Sequence, residues 1–489
     1  MGIPFFFSTL IKKYDGIIST KKPNIKNYFM DFNGTIHPIC KQFIEKGDFT
    51  EKKLLTKLKE KVNTDIKLFK PEKTFICVDG VVPMAKMIQQ RKRRYLTIYR
   101  NKIDTSEMIW DTNAITPGTL FMKNLDEYFT KNVASSSIVY NGSNIKGEGE
   151  HKIFEYMDNN HDSCIINGLD ADLIILSLLS LKRNIYLMRE DSETIYVSID
   201  KLREAILKEL SDKWDISEEN SEISNEIVET YCVMCSLMGN DFIPHLLTLN
   251  FKSNGYEKLI SFTGNAIKIH GMLVSNNMIN YNTLINIFQQ IYENEDNDIQ
   301  REIEKYMKFN CNHETIPSEF YGIKHKPQFI QEIYSNNAKW RTIYYREIFH
   351  TNILNDTLVV QQACCEYIYG IYWTYNYYKK MNIDNEWYYP YQYPPSMKDI
   401  YNYTVGNDCP KIENNNIDIQ NYIQLLIVLP RESKTLLEEK YQKYFNDNSC
   451  LYHLYPKEYK IQTFLKKHLW ECEPILPIVN LKFIINHIK

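Results

Sequence analysis

The chain has 489 residues, 44% hydrophobic and 24% charged, and its 58 Lys and Arg against 61 Asp and Glu give a formal net charge of −3. That composition excludes a disordered chain, and at roughly 100–200 residues per domain the length allows two to four domains or one large core. The near-zero charge gives no sign of a nucleic-acid binder, whose footprint is usually basic.

Residues 27–32, 74–78, 137–140 and 163–167 are rich in β-forming side chains, and a Gly closely follows each. Between them, residues 50–69, 83–102, 119–132 and 147–158 have helical composition. Strand alternating with helix predicts βαβ units and a largely parallel sheet. Residues 200–260 read as helical, with an apolar run over 227–238, while 215–226 and 291–304 are acidic and expected at the surface. Beyond 330 the chain turns to Tyr-rich helical stretches, read as a layer on the first part. The expected fold is α/β: a mixed, mostly parallel sheet flanked by helices over 1–260, with a mostly helical segment over 261–489 packed on it.

The longest nearly apolar run, residues 173–181, is far short of the roughly 20 residues that span a bilayer. The N-terminus lacks the basic stretch and cleavage site of a secretory signal. The 11 scattered Cys read as reduced thiols rather than a disulfide framework. No membrane partner is expected, and a cytoplasmic location is the default.

The acids fall at the ends of the expected strands. Asp31 closes the first, Asp79 the second, Glu148 and Glu150 follow the third, and Asp170 and Asp172 follow the fourth. Asp241, in a turn after the apolar helix, makes a seventh. Ligands of open α/β sheets bind outside the carboxyl ends of the strands, so these groups are expected to gather at one edge. Like charges so placed repel unless cations neutralise them. Oxygen-rich sets suit Mg²⁺, or Mn²⁺, and two such ions stabilise both the attacking and leaving oxygens of a phosphodiester displacement. Any one of these acids taken alone reads equally as a turn or N-cap residue.

After Asp79-Gly80-Val81-Val82-Pro83 comes a basic helix, with Pro83 as a candidate first residue. Lys86, Gln90, Arg93 and Arg94 occupy i, i+4, i+7 and i+8, one face suited to a terminal phosphate. A basic run alone is usually a solvated surface. Cys232-Val233-Met234-Cys235 has no second pair at zinc-finger spacing and lies on the apolar helix.

These residues resemble the catalytic core of the XRN family of 5′→3′ exoribonucleases. The likeness runs collinearly from Met1-Gly2-Ile3-Pro4 through Asp31-Phe32-Asn33-Gly34, Asp79-Gly80-Val81-Val82-Pro83 and Gly147-Glu148-Gly149-Glu150-His151-Lys152. It continues through Gly168-Leu169-Asp170-Ala171-Asp172, Gly239-Asn240-Asp241-Phe242, Trp387-Tyr388-Tyr389-Pro390 and Leu425-Leu426-Ile427-Val428-Leu429-Pro430. The resemblance implies a monomeric hydrolase of RNA decay that degrades 5′-monophosphorylated single-stranded RNA to mononucleotides. It implies two Mg²⁺ held by the seven acids, a 5′-phosphate pocket at Lys86, Gln90, Arg93 and Arg94, and base stacking by His37 and Trp387, with Trp373 as an alternative to Trp387. It also implies that residues 2–7 lie where the strand parts from any duplex.

Three departures stand out. Met84 replaces a usually basic residue, trimming the pocket or varying the surface. The family's long projecting helix is shortened, and the chain is expected to be a minimal core without further C-terminal domains. The rival readings are a flap-endonuclease-like DNA nuclease and a catalytically inactive RNA-binding scaffold. Residues 242–262 lack the Gly-rich helix–turn–helix of the first, and retention of all seven acids argues against the second.

Overall fold

The first four residues of the segment 27–31 are buried on both faces, the mark of a central strand covered by helices on each side. In this computed structural model all residues are described except 1, 2, 4, 105–108, 158–161, 169, 191–192, 218–219, 250, 252–253, 310–325 and 489, with only the backbone of 101–104 and 469. The strands of the main sheet are β1 (Ile18–Ser19), β2 (Asn27–Asp31), β3 (Lys73–Cys77), β4 (Ile138–Asn141), β5 (Cys164–Asn167), β6 (Ile185–Glu190) and β7 (Thr194–Ser198). Their order is β1-β7-β6-β5-β2-β3-β4. The five strands β2 to β6 run parallel, and β7 and β1 add an antiparallel edge.

The chain steps from β2 outward through β3 to β4, then crosses to β5 and steps the other way to β6. The strand order thus reverses between β2 and β5, and their carboxyl ends border the switch point. All four expected strands are present within a residue or so of their bounds, but Phe32 starts a helix rather than ending a strand. The β6–β7 hairpin was not expected, because its pattern mixes buried and half-exposed residues, as an edge requires.

Helices α1 (Phe6–Lys13), α2 (Phe32–Glu45), α3 (Glu51–Phe69), α4 (Met84–Asp104), α5 (Leu120–Asn132) and α6 (Gly149–Met157) lie in the first half. They are followed by α7 (Ala171–Leu179), α8 (Ile199–Trp214), α9 (Ser221–Ser236), α10 (Gly255–His270) and α11 (Tyr281–Lys308). All nine residues of α7 are buried, which explains its unbroken apolar sequence. The later helices include α12 (Gln328–Ser335), α13 (Trp340–Ile348), α14 (Leu358–Tyr378), α15 (Met397–Gly406) and α16 (Asn421–Val428). Helix α14 packs on α7 and α9, and α16 on α4. One apolar core runs from Ile3 through α7 and α9 to Phe464, so the helical segment shares its interior with the sheet half. No described helix is long and apolar enough to cross a membrane.

Candidate active site

Strand register brings the acids together. Asp31 ends β2 opposite Cys77 of β3, and Met30 pairs with Asn167 of β5. Asp79 therefore leaves the sheet two residues beyond Cys77, on one side of Asp31, while Asp170 leaves on the other. Asp79 is clamped twice: its N–H donates to Asn33 Oδ1 at 3.1 Å, and its Oδ1 accepts the Gly149 N–H at 2.7 Å. Only glycine fits at 149, since a Cβ there would lie 2.8 Å from the Cys77 carbonyl and 3.2 Å from Asp31 Oδ1. This contact pins the start of α6, and with it Glu148 and Glu150, beside β2 and β3. The Lys152 ammonium, fully buried, donates to the Val78 and Gly142 carbonyls at 2.7 and 3.0 Å and ties the same loops.

Asp241 arrives from the turn after α9. Gly239 takes φ +95°, a left-handed conformation that favours glycine. Asn240 Oδ1 then accepts the N–H groups of Phe242 and Ile243 at 2.8 and 3.0 Å. The turn delivers the Asp241 carboxylate to α4, where Lys86 Nζ and Gln89 Nε2 both donate to its Oδ2 at 3.0 Å.

Each of the seven acids lies within electrostatic reach of at least one other of the set. Burial, then the charges of Asp79, Asp170 and Glu148, raises the Asp31 pKa. Burial raises that of Asp79, with Glu148 next, and that of Glu150, again with Glu148 next. Asp172 is pushed from 3.8 to about 7 by burial and then by Asp241. The Lys86 ammonium stands inside this set, 2.7 Å from Glu148 Oε2 and 3.0 Å from Asp241 Oδ2. Sequence reasoning grouped Lys86 with the phosphate residues; the structure places it among the acids.

Several contributors were not legible beforehand. The Tyr377 hydroxyl donates to Glu148 and that of Tyr378 to Asp172 Oδ1, the latter at 3.0 Å. Both lie on α14, whose Tyr-rich composition signalled helix and core but not contact with the acids. His151 offers one nitrogen that lies, with an oxygen each of Glu148 and Glu150, in a group spanning less than 4.8 Å. Burial and the charges of Lys86 and Lys380 lower its pKa to about 3, so it is neutral, and its buried Nε2 has no hydrogen-bond partner. A buried set of carboxylate oxygens and one neutral imidazole fits hard divalent ions such as Mg²⁺ or Mn²⁺.

The basic helix splits into functions. Arg91 is structural: 1% exposed, it donates from Nη1 to the Ile427 carbonyl at 2.6 Å and from Nη2 to the Leu454 carbonyl. Gln90 Oε1 and Arg94 Nη1, one turn apart, are buried without a hydrogen-bond partner. Burial, then the Arg93 charge, lowers the Arg94 pKa. Arg93 itself is exposed. Surrounding protein and then the charges of Arg93 and Arg94 lower the His37 pKa. His37 is exposed and feels the charges of both guanidinium groups.

Two expectations are corrected. Trp387 is only 8% exposed: its indole N–H donates to Glu366 at 2.8 Å and its ring packs on Trp373 and Tyr369. A ring so covered is not free to stack on a base. Trp373 is fully buried too, so it does not replace Trp387. Met84 is fully buried in the core between α4 and α16, and is neither surface variation nor pocket lining. Cys311-Asn312-His313, by its sequence a metal-binding signal no stronger than Cys232-Val233-Met234-Cys235, lies outside the described residues.

A mostly parallel α/β sheet that concentrates carboxylates at its switch point defines the class of open α/β folds whose ligand site can hold divalent ions. Comparison with known families narrows this. The family described as XRN 5′-3′ exonuclease N-terminus matches residues 1–191, and the one described as Xrn1 helical domain matches 222–328 and 323–489. The chain belongs to the XRN family. It is 27% identical to human 5′-3′ exoribonuclease 1 over 99% of this chain and 34% of that protein. It is 23% identical to chicken 5′-3′ exoribonuclease 2, over 98% of this chain and 69% of that one. The chain thus spans about a third of the length of the human relative. Among solved structures, a bacteriophage T5 flap endonuclease in complex with DNA and metal ions overlaps 72% of this chain and 96% of its own. The identity is 11% and the TM-score 0.30, too loose to bear on function.

Proposed function

We propose that this chain hydrolyses single-stranded RNA stepwise from a 5′-monophosphate end, releasing mononucleotides. The observation that carries this reading is the convergence of Asp31, Asp79, Glu148, Glu150, Asp170, Asp172 and Asp241 beside a helix bearing Gln90 and Arg94 with unpartnered buried polar atoms. The names of its relatives support RNA as the polymer.

The acids would hold two Mg²⁺ ions, with His151 as a nitrogen donor within reach. When bound, such ions supply Lewis-acid stabilisation to both the attacking and the leaving oxygen. The chain's own residues do the rest. Tyr377 and Tyr378 fix the orientation of Glu148 and Asp172, as partners behind metal ligands do. Lys86 balances Glu148 and Asp241. Gln90 and Arg94, with Arg93 at the rim, receive the terminal phosphate, and the exposed His37 stacks on the leading base.

The test uses 3′-labelled RNAs ending in 5′-monophosphate, triphosphate or hydroxyl, beside a DNA flap, with Mg²⁺. Selective loss of the monophosphate RNA is expected, abolished by chelator and by Asp170→Ala/Asp172→Ala. Replacing Arg94 by Ala should erase the preference among ends. Equal attack on all ends, or internal cuts in the flap, would overturn the reading.

A further inference from the structure

A cavity of about 690 Å³ opens beside the acids, in the size range that accommodates a nucleotide-sized ligand. Its lining includes Asp170, Asp241, Gln89 and Arg93. Further lining is made by α1 and its lead-in, including Phe5 and Phe7, and by the C-terminal stretch 464–474. That stretch presents Trp470, 56% exposed. A tight turn holds it there: the Glu471 carboxylate accepts the N–H groups of Lys467 and His468 at 2.8 and 3.2 Å, and the Glu471 N–H donates to the His468 carbonyl at 3.0 Å. The Trp470 ring stacks on His468, with centroids 5.6 Å apart and planes 6° apart, and meets Phe5 edge-on at 5.9 Å.

The indole is backed by two rings and remains largely uncovered, so it presents an aromatic surface to the cavity. Here it shares a cavity with the catalytic acids and is preceded by Lys466 and Lys467 in the same lining. Arg189, over the face of Phe7 at 4.8 Å, adds a third cation. Exposed aromatic faces flanked by cations are the chemistry that holds single-stranded nucleic acid without regard to sequence. A polyanion also suits the basic side of this lining, while Glu471 is spent on the turn and Glu473 on Lys92, 2.8 Å away.

We propose that Trp470, backed by Phe5 and His468, is a second base-stacking platform, which holds nucleotides downstream of the reacting phosphate as the strand enters. This rests on the RNA reading above and extends it: His37 would hold the leading base and Trp470 a later one. The platform makes affinity depend on chain length, because a short oligonucleotide ends before it reaches the indole.

The test compares the parent with Trp470→Ala and Trp470→Phe on 5′-monophosphorylated oligoadenylates of two and twelve nucleotides. The readout is the ratio of the two KM values. One stacked base contributes enough that its loss should shift this ratio roughly tenfold against the twelve-mer in Trp470→Ala, with most of the shift recovered in Trp470→Phe. With Ca²⁺ in place of Mg²⁺, the twelve-mer should quench the parent's tryptophan fluorescence and the dinucleotide should not. That quench should vanish in Trp470→Ala. An unchanged KM ratio, or a quench that survives the substitution, overturns the platform while leaving the exonuclease reading intact. If the parent degrades neither RNA, both fall together.

Discussion

Asp172→Asn is the substitution most directly tied to the electrostatics of the site. Asp172 sits in the first turn of α7, 2% exposed, and accepts the Tyr378 hydroxyl at 3.0 Å. Burial, then the neighbouring Asp241, raises its pKa from 3.8 to about 7. Without metal, the folded chain therefore keeps a proton here that the unfolded chain releases between about pH 4 and pH 7. The folded state binds more protons across that window, so stability falls as pH rises through it. At about 1.4 kcal/mol for each pH unit, the interval sets a ceiling of roughly 4 kcal/mol for this one group.

Asparagine keeps the shape and still accepts the tyrosine hydrogen bond, but cannot ionise. In chelator at pH 8 the variant should be more stable than the parent, by up to about 4 kcal/mol, and near pH 4 the two should coincide. For 489 residues the entropy of unfolding is about 1 kcal/mol per kelvin, so the ceiling corresponds to roughly 4 °C in Tm. Mg²⁺ should reverse the order: the parent gains about 2.7 kcal/mol at a hundredfold excess over Kd, and the variant gains less. The assay is thermal or urea unfolding across pH 4–8, with chelator and with Mg²⁺. A variant less stable than its parent at pH 8 in chelator, or equal pH slopes for the two, would refute the reasoning.

Other substitutions separate the remaining roles. Tyr377→Phe leaves the buried Glu148 carboxylate to Lys86 alone; the Mg²⁺ needed for half-maximal activity should rise ten- to a hundredfold, and an unchanged Mg²⁺ titration counts against a positioning role. Arg91→Met removes two charge-assisted hydrogen bonds, stranding the Ile427 carbonyl and leaving that of Leu454 only the Tyr95 hydroxyl at 3.5 Å, costing about 3–5 kcal/mol in urea unfolding; a loss below about 1 kcal/mol would show that the arginine is replaceable packing. Trp387→Phe should lower stability by about 1–3 kcal/mol through its packing and its bond to Glu366, with the KM for RNA unmoved. A raised KM at full stability would return Trp387 to the RNA surface.

The parts of this molecule that could be read in one dimension are those whose cause is local. An apolar β-rich run followed by an acid and a glycine marks a strand end wherever it occurs, so Asp31, Asp79 and Asp170 could be placed before their neighbours were known. The acid pairs at 148/150 and 170/172 were legible from spacing. What the spacing could not carry was mutual geometry. Lys86 reads from its helix face as a phosphate ligand, but its 2.7 Å contact with Glu148 depends on α6 being pinned through Gly149 to Asp79, 70 residues earlier, with no visible pattern linking the two. Trp387 failed for a similar reason: exposure is a tertiary property, and the aromatic motif around it looks the same buried or bare. Met84 is buried only because α16 packs against α4.

The same contacts argue that the two halves form one structural unit around the acids. The acids all come from residues before 250, yet two of the carboxylates are held by hydroxyls from α14. The basic helix α4 starts with a hydrogen bond from the Met84 N–H to the Asn385 carbonyl, and Arg91 fastens it to carbonyls at 427 and 454. Position along α4 decides whether Lys86 reaches Glu148 and Asp241, and whether Gln90 and Arg94 face a phosphate. A helix anchored in this way is set by the C-terminal segment as much as by the sheet. The near-zero net charge is a sum over the whole chain, 58 cations against 61 carboxylates, and a sum carries no information about the acidic field that the fold gathers at one sheet edge.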